Sequence, residues 1–319
     1  MPPWLVDRVL RHILVDATGN THRTEFSIDK LYDPAAPGGR LGLVELRSVE
    51  MQPHWRMQAA VELLLRAAVA GFWHRPYRRP LVRWGSQLHD RFLLPTPIAA
   101  DLADALQELA GCGVALDPAW YEPHLRFRYP VLGTAALGGV ELELRTAAEP
   151  WLTLGEEPAG GGQVRYVDRS LERVQVRING WNPERHLLLV DGWRLPLAAT
   201  GRAGEAIAGI RYRAWQPPSC LHPTLGVDTP LRIELYDRWN ERVVGGALYH
   251  VAHPGGRNHS TRPINANEAE GRRLQRFSAT GQRPGAQDWR EPPRSPEAGL
   301  TLDLRQTKAH PRAWQRGGG

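Results

Sequence analysis

Cysteine and lysine are nearly absent from this chain: two of each, Cys112 and Cys220, Lys30 and Lys308, in 319 residues. Neither cysteine has another nearby, which excludes a disulfide framework and every cysteine-rich zinc pattern. No run approaches the roughly 18 apolar residues of a membrane span. The first residues, Met1-Pro-Pro-Trp-Leu-Val-Asp7, carry no basic stretch or cleavage signal, so a reducing cytoplasm is the expected setting. No Walker loop, GxGxxG or HExxH occurs either. The net charge of +6 comes from the end of the chain: residues 256–319 hold 12 Arg and Lys against 6 Asp and Glu, leaving 28 of each sign before them. That excess is scattered rather than gathered into a patch, so neither nucleic acid nor a membrane is an expected partner.

What the chain does have is many turns, with 32 Gly and 27 Pro, and clear periodicity between them. Residues 4–14 show helical spacing, and Asp16-Ala-Thr-Gly-Asn20 breaks it as a turn. Residues 21–31 alternate as a strand with Arg23, Glu25, Ser27 and Asp29 on one face. A loop over 33–40 leads to a second strand over 41–49. So short a link implies antiparallel neighbours. A helix follows from His54 to Trp73, with Leu63, Leu64, Ala67, Ala68 and Phe72 on its buried side. Another runs from Thr96, as N-cap, with Pro97 at its first position, to Ala110.

Beyond Leu125 the character changes. Short alternating runs at 140–145, 164–167, 173–178, 186–190, 207–214, 231–236 and 243–251 are separated by Gly, Pro and Asn, the spacing of an all-β sandwich or barrel. A helix capped by Asn267 is expected to Phe277, then an extended arm to Leu300-Thr-Leu-Asp-Leu-Arg305. The expectation is an α+β chain. It has a partial antiparallel sheet with helices over 1–122, a β-sandwich over 123–255, and a helix with an extended tail over 256–319.

Glu45 and Arg47 are two residues apart on a strand, hence about 7 Å apart on one face. With Arg23 and Glu25 on the facing strand, they form a set that can serve a magnesium ion and a phosphate. Magnesium takes hard oxygens such as Glu45 or Glu25, and arginine forks suit phosphate oxygens. The plainer reading is a solvent-facing ladder of ion pairs, each contributing under about 1 kcal/mol. On the residues alone it is the simpler one, because Glu143-Leu-Arg145 repeats the spacing with no helix after it. Asp90 and Arg91 either border a pocket or cap and pair. His250, His253 and His259 lack metal-ligand spacing. Cys220 and His222, two residues apart, invite a thiol-protease reading, but such pairs are assembled spatially rather than in sequence, and Cys220 reads as structural. Trp151, Trp181, Trp193, Trp215 and Trp239 suit a sugar platform or a sandwich core equally.

Several long blocks resemble a known family. They are Thr18–Tyr32, Gly42-Leu-Val-Glu-Leu-Arg47, Arg83-Trp-Gly-Ser-Gln-Leu-His-Asp-Arg-Phe92, Arg211–Pro223, Tyr249–Asn258 and Leu300–Arg305. They look like the C-terminal portion of a large bacterial family of putative amidoligases, found downstream of transglutaminase-like domains and related to glutamine synthetase-like carboxylate–amine ligases. The resemblance implies Glu45, and less directly Glu25, as metal ligands, with Arg47 and Arg23 as phosphate contacts. It implies ATP and magnesium, an acyl-phosphate reaction between a carboxylate and an amine (peptides among them), and an upstream ligase or transglutaminase-like domain as partner. The superfamily's earlier strands, with paired glutamates and a histidine, have no counterpart here, so the expectation is a fragment inactive alone. The alternative is a non-catalytic sandwich that binds a peptide or glycan.

Overall fold

Alternation of apolar and polar residues after Val131 builds two sheets, each with one face turned to a shared core. The computed structural model describes residues 2–10, 14, 24–32, 41–85, 87–159, 162–252, 261–293 and 299–309. The fold is α+β with antiparallel sheets and no barrel. It divides into two compact units, 1–66 and 67–319.

In the first unit, helix α1 (Pro3–Leu10) is followed by β1 (Phe26–Ser27), α2 (Asp29–Tyr32) and β2 (Glu45–Leu46). The two strands are antiparallel, as the short link implied, with Phe26 opposite Leu46 and Ser27 opposite Glu45. Both are much shorter than the alternation suggested. Ser27 Oγ accepts from the Asp29 N–H at 3.3 Å, and this local bond starts a helical turn where the strand was expected to continue. The turn at 16–20 and the loop at 33–40 lie outside the described residues.

Helix α3 (Trp55–His74) spans the boundary between the units. Its buried positions are Met57, Ala60, Ala67 and Gly71, while Leu63 and Phe72 are exposed. The stripe runs at three- and four-residue intervals, and Leu63 sits one residue, about 100°, off it.

The second unit opens with α4 (Gln87–Leu93), α5 (Pro95–Gly111), a 3-10 turn at Pro118–Trp120 and α6 (Glu122–Arg128). Leu94 is the extended residue before α5 and Pro95 takes the first helical position, so Thr96 lies inside the first turn rather than capping it. There follow β3 (Val131–Leu137), β4 (Val140–Ala147), the hairpin β5 (Thr153–Ala159) and β6 (Gly162–Val167), β7 (Leu171–Asn179), β8 (His186–Val190), β9 (Trp193–Arg194), β10 (Ala198–Ala199), β11 (Ala206–Arg213), β12 (Leu231–Asp237) and β13 (Arg242–Tyr249). The tail adds α7 (Ala266–Leu274), β14 (Phe277–Thr280), β15 (Arg283–Pro284), β16 (Thr301–Asp303) and α8 (Leu304–Ala309). The cap of α7 is Asn265, two residues before the expected Asn267; its side chain accepts from the Glu268 N–H at 2.9 Å.

One sheet has the order β10-β11-β7-β4-β3, with β16 added in parallel to β11; the other runs β14-β13-β12-β8-β9, with β15 on β13. Residues past 255 therefore join both sheets. Leu142, Leu144, Val176 and Ile210 from the first sheet meet Leu188, Leu231, Ile233 and Leu235 from the second in one core. The β3–β4 turn needs Gly138 and Gly139, both at positive φ (59° and 89°), as a two-residue hairpin loop requires. No described helix is long and apolar enough to cross a membrane.

Candidate functional site

In the first unit, Glu45 stands between two cations. Its carboxylate accepts from Arg47 Nη2 at 3.1 Å, and Lys30 Nζ lies at 3.4 Å. The Glu45 side chain keeps 38% of its surface exposed, while that of Arg47 keeps 17%. The Arg47 hydrogen bond, helped by the charges of Arg47 and Lys30, holds the Glu45 carboxyl below its usual range. The same bond raises Arg47. The Arg47 N–H donates to the Glu25 carbonyl at 2.6 Å, so Glu25 lies level with Arg47 and shares the face of Ser27 and Glu45. Glu25 is exposed. Arg23 lies outside the described residues.

A second charged surface, not singled out by the sequence, covers the outer face of the first sheet of the second unit. Along β7, Val174, Val176 and Ile178 enter the core, so Arg173, Gln175 and Arg177 face the other way. Register sets Arg177 opposite Glu143, Gln175 between Arg145 and Gly209, and Arg173 opposite Arg211. Gln175 holds α5 in place: its Nε2 donates to Thr96 Oγ1 at 2.8 Å and its Oε1 accepts from the Thr96 N–H at 3.0 Å. Gly209 lets the layers close, since a Cβ there would lie 2.5 Å from Thr301 Oγ1 and 3.0 Å from Leu94.

Charged groups gather on either side of Gln175. On one side, Glu143 accepts from Arg145 Nε at 2.6 Å and from Arg177 Nη2 at 2.9 Å. On the other, buried Glu149 accepts from Arg173 Nε at 3.1 Å and Arg211 Nε at 2.7 Å. Burial and the neighbouring Arg211 depress the Arg173 pKa, against the pull of Glu149. Arg211 also lies 3.5 Å from Asp303, which accepts from Arg305 at 2.6 Å. Asp90 is a buried clasp rather than a bare pocket wall: it accepts from the N–H groups of Gly299 and Leu300, both at 2.8 Å, and from Thr301 Oγ1 at 2.6 Å. Arg91 pairs with Asp101 at 3.2 Å and lies over the Trp84 ring. Both line a cavity of about 460 Å³.

A family model described as "Putative amidoligase enzyme (DUF2126)" matches residues 1–305. The chain belongs to this family. No curated protein and no solved structure matches it.

In this amidoligase-family chain the blocks that carried the resemblance meet in space. Asp90 from one block binds Leu300 and Thr301 of another, and Arg211 of a third faces Asp303. Arg213, fully buried, donates to Cys220 Sγ at 3.0 Å and to the His222 carbonyl, so Cys220 and His222 serve to hold a buried arginine. Trp181, Trp193 and Trp215 pack on the sandwich core, while Trp151 and Trp239 are exposed beneath Arg169 and Arg185. His250 is half-buried; His253 and His259 lie outside the described residues. For the second-unit arginines, the sequence signal is only polar residues alternating with Val174, Val176 and Ile178. That pattern says "outward" without saying what covers them.

Proposed function

We propose that this amidoligase-family chain takes part in ATP-dependent joining of a carboxylate to an amine, through an acyl phosphate. The observation that carries the reading is Glu45 set between Lys30 and Arg47 with its own carboxylate side chain partly exposed. An acid flanked by two cations supplies both halves of a magnesium–phosphate contact. No group of three His, Cys, Asp or Glu among the described residues would hold a metal unaided. Magnesium bound with a nucleotide usually needs only one or two carboxylates, the rest of its shell being phosphate and water, and Glu45 with Glu25 fits that role. The metal would supply neutralising charge to the transferred phosphoryl group.

Arg47, with Arg23, would exchange its carboxylate partner for phosphoryl oxygens and stabilise charge on them during transfer. A substrate carboxylate oxygen attacks the γ-phosphorus and ADP leaves. The amine nitrogen then attacks the acyl carbon, phosphate departs, and the nitrogen gives up a proton. The paired glutamates and histidine that the superfamily resemblance calls for would come from an upstream ligase or transglutaminase-like partner, the present chain being inactive without it.

The test is magnesium-dependent ADP release by the chain with that partner, a carboxylate and an amine. Glu45→Gln should lower turnover about 100-fold, the scale of one lost charge-stabilising contact. Equal turnover by variant and wild type removes Glu45 from the mechanism. A second reading has its own observation: Trp151, Phe127, Tyr129 and Tyr249 line a cavity of about 490 Å³ in the second unit. Soluble glycans or peptides that quench tryptophan fluorescence in the wild type but not in Trp151→Ala would favour a binding module.

A further inference from the structure

Beside the first turns of α5, the outer face of β4 and β7 opens into a cleft of about 440 Å³, a size suited to a small molecule. We propose that this cleft recognises a carboxylate-bearing small molecule, with Arg177, Arg145 and Arg202 as the reading groups.

Charge comes first. The lining holds three arginines, Arg145, Arg177 and Arg202, against two acids, Glu143 and Glu205. Glu143 is shared: both its oxygens bind Arg145, at 2.6 and 3.2 Å, and one also binds Arg177 Nη2 at 2.9 Å. One carboxylate therefore serves two guanidinium groups. Arg177 Nε is buried and has no acceptor among the described residues, an arrangement that native structures rarely leave unanswered. Glu205 accepts from Thr200 Oγ1 at 2.5 Å. The Arg202 side chain is exposed and makes no hydrogen bond or ion pair among the described residues.

The helix start adds little of its own. Pro95 and Pro97 have no N–H, and that of Thr96 is committed to Gln175, so the donors for an anion are the arginines. Their planar forks match a carboxylate. A net lining charge of only +1 suits a single negative charge better than a phosphate dianion beside Glu143 and Glu205. The remaining wall, with Ala99, Ala100, Ala103 and Leu125, admits an aliphatic chain. The cleft involves none of Glu25, Glu45 or Arg47, so it goes beyond the ligase reading and is tested without nucleotide.

The experiment is titration of the full chain, at low ionic strength and without ATP or magnesium, with hexanoate, its neutral analogue hexanamide, and inorganic phosphate. Calorimetry gives affinity and ¹H–¹⁵N spectra follow the arginine Nε signals. Hexanoate should bind and shift the Arg177 Nε–H signal, hexanamide should not bind, and Arg202→Gln should weaken hexanoate at least 10-fold. The Arg202 side chain holds no other group among the described residues, so an unchanged melting curve separates recognition from folding. Equal binding of hexanamide, tighter binding of phosphate, or no effect of Arg202→Gln would each overturn the assignment. Loss of ADP release in Glu45→Gln would leave these titrations untouched, so the two proposals fail separately.

Discussion

Glu45-Leu-Arg47 and Glu143-Leu-Arg145 are the same three residues in two settings. In both, the glutamate accepts from the arginine two positions on, at 3.1 Å and 2.6 Å. In the first unit the ladder is two residues long, Leu46 is 46% exposed, and the second cation is Lys30 from a single helical turn. In the second, Leu144 is wholly buried and the second cation is Arg177, placed by strand register. The tripeptide specifies an ion pair and nothing more. What the pair can hold depends on which neighbour supplies the third charge and how much water reaches it.

The leucines give the strongest way to break this comparison. Leu144→Ala should cost about 3 kcal/mol, a core cavity, whereas Leu46→Ala should stay within about 0.5 kcal/mol. Chemical denaturation of both variants measures the contrast, and similar losses would refute it. The acids come next. Glu143→Gln strands two partly buried guanidinium groups and should cost about 2 kcal/mol, while Glu45→Gln should leave the unfolding midpoint unmoved and affect only turnover. A shifted midpoint for Glu45→Gln would assign that pair to the fold instead.

The smallest effect is read through pH. Asp237 is fully buried and accepts from Arg185 at 2.7 Å and Asn240 at 2.6 Å, and chiefly the Arg185 bond holds it well below the usual value of 3.8. A depressed carboxyl stabilises the fold above its unfolded pKa and loses that contribution as pH falls towards its folded one. The melting gap between wild type and Asp237→Asn should therefore be full at neutral pH and narrow as pH drops below about 4. A constant gap would mean that Asp237 acts through shape rather than charge.

Much of the sandwich was legible because alternation over six residues or more leaves little freedom of face: the runs at 140–145 and 173–178 each fall within one strand, and the apolar run at 186–190 is a strand buried on both faces. The first unit misled for the same reason. Between Glu25 and Ile28 burial does not follow the expected alternation, with Phe26 40% exposed and the neighbouring Ser27 and Ile28 both buried, and a serine hydroxyl was enough to divert the chain into a helical turn. Pro95-Thr96-Pro97 allows two helix starts, and Gln175, far along the chain, occupies the threonine. Of the four residues in the nucleotide reading, the structure brings Glu45 and Arg47 into contact and sets Glu25 level with them. The partners of Arg173 and Arg211 were invisible: Glu149 lies beyond a strand end, and Asp303 sits on the expected extended arm, whose place beside β11 no local pattern announces.

That short final strand has a consequence for biosynthesis. The donors that satisfy Asp90 are made more than 200 residues after it, so a growing chain holds this acid without them and residues 209–211 of β11 without their outer neighbour. Completion waits for the arrival of Thr301–Asp303. Until then the open margin is a place where a strand from another molecule can dock, and a polypeptide stopped short of residue 299 would keep that vulnerability for good.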